Sequence, residues 1–568
     1  MSAEMQMKLG PDEQARYDAV AEHALRDEWG ERLFDRDASL WSTDPAVQAT
    51  IAERLGWLDA PDHFTVEIPA LEAFGDAVRV AGFSTAVVMG MGGSSLAPDV
   101  LHRVFGTTAG YLDLRILDST DPAAVAATVD DLDPLQTLWI VASKSGTTTE
   151  PLAFMADAWA RVEAALKRAG SGQNPGEFFV AITDPGRSVD SIPQHDDLRE
   201  RFLNPPDIGG RYSALTYVGL VPASLIGLDL DPLLASGAAM LAECREPDPA
   251  ANPGLRLGLL LGSLALGGRD KLTILADDSI ASFGAWLEQL IAESTGKHGV
   301  GIVPVDLEPV RAATDYRPDR IFVSIGFAGQ EWPPVFHEVA RLGHPVIRIE
   351  IDDPMDLAGE MVRWEVATAF AGAVLGIDSF DQPNVEEAKE LTRRVLAQAG
   401  ASSARGSGEA AAPDRSPALA IATLGQDGLA AALRPLLADR HAPEYIAIQA
   451  FIAPTLERDT AISRLRTALA RTGCATTAGY GPRFLHSTGQ LHKGGPPTGV
   501  FIQLTSDHPV DRPIPGWPYT FGQLIDAQAR GDREAIAAHD RPVIHVHLGA
   551  DAEADLATLE RAIARALA

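Results

Sequence analysis

Cysteine is almost missing from this chain: 568 residues contain two, Cys244 and Cys474. They form no metal-ligand spacing, which excludes a cysteine-based zinc module. One disulfide and two free thiols both remain open, and a reducing compartment is the simpler reading. Positive charge is scarce as well. Lys and Arg total 47 against 78 Asp and Glu, a formal net charge of −31. That balance argues against nucleic acid or an anionic membrane as a partner. It also means that an anionic substrate must be held by local cations and backbone amides against the overall field. Long hydrophobic runs are lacking too. The stretch Leu255 to Leu266 carries Arg256 and is too short to span a bilayer. Met1-Ser2-Ala3-Glu4 shows no basic region followed by an apolar run, so no signal peptide is visible and a cytoplasmic setting is expected. No tandem repeat of fixed period is evident.

Lysine itself is rare, with seven residues among the 47 basic ones. Arginine is therefore the usual cation here, and a retained lysine points to a need for a compact, mobile ammonium. Four of the seven (Lys144, Lys297, Lys389 and Lys493) fall in the segments singled out below.

What is present is the alternation of an α/β protein. The length calls for two to four domains, and the 46% hydrophobic and 22% charged composition is that of an ordinary globular chain. Residues 1–75 read as polar amphipathic helices. Short apolar, β-branched runs then begin at Thr85 to Met89, Leu114 to Leu117, Leu138 to Ala142 and Phe178 to Ile182. Helical stretches such as Pro151 to Arg168 lie between some of them, which implies right-handed βαβ units on a parallel sheet. A second set follows Arg269: Leu272 to Leu275, Gly301 to Val305, Ile321 to Ile325 and Val346 to Glu350. Gly400 to Pro417 reads as a flexible connection. Tyr445 to Ile448, Val500 to Leu504 and Val543 to His547 then suggest a smaller third unit. The expected divisions are 1–75, 76–235, 236–399, 400–417 and 418–568.

Two strand-to-helix turns carry the chemistry of the first unit. Ser143-Lys144-Ser145-Gly146-Thr147-Thr148-Thr149-Glu150 holds five hydroxyls and a glycine in its first seven positions, more than a helix cap needs. Beside helix N-terminal amides it makes a pocket for a phosphate dianion. The Gly90 to Ser95 turn would alone be equally compatible with a dinucleotide. Two such turns in one unit, with no convincing acidic residue for a ribose, favour a monophosphate.

Together these turns resemble the sugar-isomerase domain of glucose-6-phosphate isomerases. Three more segments follow in that family's order. Gly209-Gly210-Arg211-Tyr212-Ser213 is similar to its arginine motif, Glu293-Ser294-Thr295-Gly296-Lys297 to its catalytic glutamate motif, and Ser379-Phe380-Asp381-Gln382 with Lys389 to its Gln and Lys pair. The resemblance implies an α/β fold of two doubly wound parallel-sheet sugar-isomerase domains, here with a C-terminal α/β extension. It implies interconversion of glucose 6-phosphate and fructose 6-phosphate through a cis-enediol, with no metal or redox cofactor, by a homodimer.

The implied roles fit the chemistry of each side chain. Glu293 is the candidate to carry the proton between C1 and C2. Arg211 is the candidate to stabilise the enediolate oxygen. Gly93, Ser94, Ser143, Lys144, Ser145, Thr147, Thr148 and Gln382 are the substrate and phosphate contacts. Lys389 and a histidine are implied for opening the sugar ring. The family's histidine ordinarily lies between the glutamate motif and the Gln and Lys pair, where His298, His337 and His344 lack its neighbours. Leu485-His486-Ser487-Thr488-Gly489-Gln490 in the third unit resembles the histidine segment of bacterial members instead. This order, with His492-Lys493-Gly494-Gly495-Pro496 after it, is similar to the isomerase half of fused transaldolase–glucose-6-phosphate isomerase proteins. His486 is thus the candidate, with His492 next. A related sugar-phosphate isomerase, including one that also takes mannose 6-phosphate, and a non-catalytic sugar-phosphate regulator are the alternatives; Glu293 and Arg211 together speak against the second. His545 and His547 share a strand face but lack a third ligand nearby, so a metal site is not expected there.

Overall fold

The apolar runs become the central strands of three five-stranded sheets and two of the edge strands. The computed structural model describes residues 5–405, 418–438, 440, 441 and 443–568. A first strand, β1 (Met5–Lys8), precedes the helices of the N-terminal segment. The first sheet contains β2 (Thr85–Met89), β3 (Asp113–Leu117), β4 (Thr137–Ala142), β5 (Phe179–Thr183) and β6 (Glu200–Leu203). Its order is β3-β2-β4-β5-β6, parallel throughout. The second contains β7 (Lys271–Ala276), β8 (Val303–Val305), β9 (Arg320–Phe327) and β10 (Val346–Ile351), and β1 joins its edge antiparallel to β10. The third contains β11 (Leu419–Ala420), β12 (Tyr445–Phe451), β13 (Ala475–Tyr480), β14 (Gly499–Ser506) and β15 (Val543–Leu548), ordered β11-β15-β14-β12-β13 and parallel.

Four strands, β1, β6, β11 and β13, were not expected, and all four lie at sheet edges. An edge strand pairs on one side only and needs no continuous apolar run, so Glu200–Leu203 carries Glu and Arg and reads as a loop. The expected connection at 400–417 also divides. Residues 400–405 continue the helix Val385–Arg405, and 406–417 lie outside the described residues.

The Leu255 to Leu266 run is a buried helix, Pro253–Leu266, packed on the helix Leu357–Leu375. Gly258 and Gly262 allow the close approach: a Cβ at Gly258 would sit 2.4 Å from the Ala367 carbonyl, and one at Gly262 2.6 Å from Val374 Cβ. Among the described residues, no helix is long and apolar enough to cross a membrane. Cys244 and Cys474 are both buried and free, so the disulfide alternative is set aside.

The third unit is fastened to the other two by buried polar and apolar contacts. Glu308, just beyond β8, accepts hydrogen bonds from the Thr476 backbone (2.7 Å) and hydroxyl (3.0 Å) on β13, and Arg320 pairs with it at 2.8 Å. Arg320 and Arg311 pull the Glu308 carboxyl down to about 2 against the opposing effect of burial. Val303 and Val305 share a core with Tyr445, Ala447 and Phe501. Toward the first unit, Arg483 binds Asp99 at 2.8 Å and Asp118 at 3.0 Å, seating the loop that carries His486.

Candidate active site

A cavity of about 600 Å³ opens where β2 and β4 end and the three units meet. In open parallel sheets the strand ends present helix N-termini and loop amides to a ligand. Its geometry explains two glycines. Gly92 has φ +54°, and a Cβ there would lie 2.5 Å from the His486 carbonyl. A Cβ at Gly93 would lie 2.0 Å from the Gly210 carbonyl. The glycine turn, the arginine motif and the histidine segment can converge only because both positions lack a side chain.

The hydroxyl-rich loop leads into the helix Thr149–Ala169. Thr148 occupies the N-cap position, yet its side chain makes no capping hydrogen bond, so capping does not account for it. The Ser145 and Thr147 hydroxyls are 3.0 Å apart, and the Thr147 amide donates to Ser145 Oγ at 3.2 Å. Gly146 (φ +65°) folds the loop against Ser188. Ser143 departs from expectation. It is 3% exposed, its hydroxyl donates to Thr148 Oγ1 at 3.0 Å, and it does not line the cavity. It shapes the loop from behind. Lys144 lines the cavity, with its ammonium engaged by the Asp184 carboxylate and, at 2.9 Å, by the Pro206 carbonyl.

Opposite the loop, Arg211 is held on every side. Nε donates to Ser294 Oγ (2.7 Å), Nη1 to Gln382 Oε1 (3.0 Å), and Nη2 to the carbonyls of Ser379 (2.7 Å) and Asp381 (3.0 Å). The Glu293 carboxylate lies 3.5 Å from Arg211 Nη1 and accepts from Gln289 Nε2 at 3.2 Å. Gln289 stands one turn earlier on the same helix, and its amide also reaches the His486 carbonyl at 2.7 Å. Lys297 does not line the cavity. It is fully buried against Asp381 (2.6 Å), and burial together with Arg211 lowers its ammonium to about 8.

His486 Nε2 lies 3.2 Å from Glu150 Oε1, which also accepts from Gln528 Nε2 at 2.6 Å. Burial pushes the Glu150 carboxyl up, but His486, its own backbone amide and Lys389 together outweigh it and the net shift is downward. Lys389 Nζ reaches Glu386 at 2.8 Å at the rim, on the helix Val385–Arg405. Gly93, Ser94, Lys144, Ser145, Thr147, Thr148, Arg211, Glu293, Gln382, Lys389 and His486 thus line one cavity.

The other histidines stand elsewhere. His298 and His337 are exposed and His344 is buried in the second unit, where burial, Arg269 and Arg320 lower it to about 4. His492 is buried behind the cavity, 3.2 Å from Gln449, and burial and then Lys493 press it well below its ordinary value. His545 and His547 both contact Thr505 Oγ1, at 2.8 and 2.9 Å. Among the described residues, no cluster of three or more His, Cys, Asp or Glu is placed to hold a metal ion.

The family model described as phosphoglucose isomerase matches residues 51–308. The glucose-6-phosphate isomerase of Rubrobacter xylanophilus is 30% identical over 409 residues, covering 62% of this chain and 92% of that protein. The chain belongs to the phosphoglucose isomerase family. A second family member, from Carboxydothermus hydrogenoformans, is 27% identical over 404 residues, covering 61% of this chain and 86% of its own. A crystal structure of a hypothetical protein from Thermus thermophilus shares the fold, with a TM-score of 0.56 and 24% identity over 69% of this chain and all of its own. The family match to 308 takes in Glu293 and Arg211 and stops before Gln382, Lys389 and His486.

Sequence reasoning missed Glu150, Gln289, Gln528 and Arg54 as lining residues. Gln289 had a signal, its position four before Glu293 on a helix. Gln528 had none, because a glutamine within Phe521–Ala538 looks like any solvated helix position.

Proposed function

We infer that this cavity interconverts glucose 6-phosphate and fructose 6-phosphate by way of a cis-enediol. Family membership supports the reaction, and the 3.5 Å approach of Glu293 to the fourfold-anchored Arg211, facing a hydroxyl-rich loop, carries it here. The phosphate dianion rests on Ser145, Thr147 and Thr148 at the N-terminus of the helix Thr149–Ala169, with Gly93 and Ser94 beside it. His486 and Lys389 serve the anomeric hydroxyl and the ring oxygen while the pyranose opens. Glu293 then takes the C2 proton of the open aldose and returns it to C1 of the enediol. Arg211 meets the charge that develops on the enediolate oxygen, and Gln382 orients it. Arg211 is already immobilised by its four acceptors, so it needs no rearrangement as that charge appears.

In this division of labour, 76–235 holds phosphate and supplies Arg211, 236–399 moves the proton and lends Lys389, and 418–568 brings His486 to ring opening. Two free buried thiols are consistent with a reducing, cytoplasmic setting. A homodimer is the expected assembly from the prevalence of twofold oligomers. The deciding experiment is a coupled assay of the purified chain on fructose 6-phosphate, with mannose 6-phosphate alongside. Turnover of the first is expected. No turnover of either would overturn the reading.

A further inference from the structure

Glu150 has two donors on one oxygen, and only one of them is the histidine. The other, Gln528, lies on the helix Phe521–Ala538 of the third unit and is 3% exposed. Its amide has a single workable orientation. A carboxylate can only accept, so Nε2–H must face Glu150 Oε1 (2.6 Å), which turns Oε1 to the Thr120 hydroxyl (2.6 Å). Thr120 is fully buried in the turn after β3. The chain of donors therefore runs one way, from Thr120 to Gln528 to Glu150, and meets His486 arriving from the other side at 3.2 Å.

We propose that Gln528, oriented by Thr120, is a positioning residue that keeps Glu150 an acceptor and so fixes His486 as the Nε2–H tautomer, leaving Nδ1 to the substrate. The inference rests on the ring-opening role given to His486. A carboxylate oxygen already filled by a neutral amide donor stays in place and accepts the imidazole N–H along a fixed line. Without Gln528, the Glu150 carboxylate can rotate off the imidazole, and the ring loses the contact that selects its tautomer. Among the described residues, Glu150 is the hydrogen-bond partner of the His486 ring. A tether holding the helix Phe521–Ala538 to the first unit would use the same hydrogen bonds but would not choose a tautomer. The two roles therefore separate by experiment.

The test uses the full chain labelled with ¹⁵N-histidine, with the His486 signals assigned by their loss in His486→Gln. The wild type should show protonated Nε2 and unprotonated Nδ1. Gln528→Leu should mix the tautomers and lower turnover on cyclic glucose 6-phosphate by about 10- to 100-fold, by analogy with the partners that orient metal-bound histidines, with KM unchanged. Thr120→Val should fall between. Gln528→Glu keeps the shape and guards against a variant that fails to fold; it should also lose turnover, because a second carboxylate repels Glu150. A folded Gln528→Leu chain with wild-type tautomer and turnover would overturn the proposal, and so would an equal loss on cyclic and open-chain substrates. If the wild type isomerised nothing, the functional reading would fall, and the tautomer measurement would still decide the clamp.

Discussion

Glu293 and Arg211, carried by different units, face each other at 3.5 Å with both side chains largely shielded from solvent. Neither partner is spent on the other: Arg211 has four shorter acceptors, and Glu293 has Gln289. A carboxylate held beside a cation without a tight ion pair is free to accept a proton from carbon.

Glu293→Gln keeps the volume and the Gln289 neighbour and removes the base. Turnover should fall on the order of 10²-fold or more, with inorganic phosphate inhibition unchanged. Steady-state assays and C2–H exchange with solvent would measure both. Normal turnover would rule out Glu293 as the proton carrier.

Ser145→Ala and Thr148→Ala remove hydroxyls remote from C1 and C2. They should raise KM and weaken phosphate inhibition more than they lower turnover, since the lost contacts serve ground and transition state alike. Unaltered binding with abolished turnover would contradict the phosphate cradle.

His486→Ala should be severe on cyclic glucose 6-phosphate and mild on an open-chain analogue. Glu150→Gln should follow the same pattern more weakly, because it acts through the imidazole. Equal losses on both substrates, with a lowered melting temperature, would mark His486 as structural.

Glu308 joins the second and third units, and its acid behaviour has a definite sign. Its folded value, about 2, lies below the ordinary 4.5, so its stabilising contribution is complete above about pH 4.5 and is lost as pH falls toward 2. Glu308→Gln leaves Arg320 buried without its carboxylate and should cost roughly 3 kcal/mol. Melting curves of the two chains should stay a fixed distance apart from pH 7 to about 4.5 and converge below it. A gap that widened on acidification would contradict the assignment.

The central strands were legible because burial on both faces demands apolar, β-branched runs, as in Thr85–Met89 and Thr137–Ala142. Four of the six edges were not, since strands such as β13 (Ala475–Tyr480) and β1 answer to one neighbour each; β3 and β8, also at edges, kept apolar runs and were legible. Of the candidate residues named from motif resemblance, most line one cavity, among them His486 despite its displaced position. Ser143 was read as a ligand because composition shows that a hydroxyl is present but not where it points. Gln528 and Thr120 meet across 408 positions through the docking of two units, and no local pattern encodes such a meeting.

The seating of the third unit has a consequence for biosynthesis. The phosphate loop and Glu293 lie on segments that leave the ribosome well before His486, and domains generally fold as they emerge. On the proposed division of roles, a nascent chain carries the phosphate cradle and the proton carrier before it carries the ring-opening histidine. The helix Phe521–Ala538 emerges later still, and its docking is what closes the contact with Glu150.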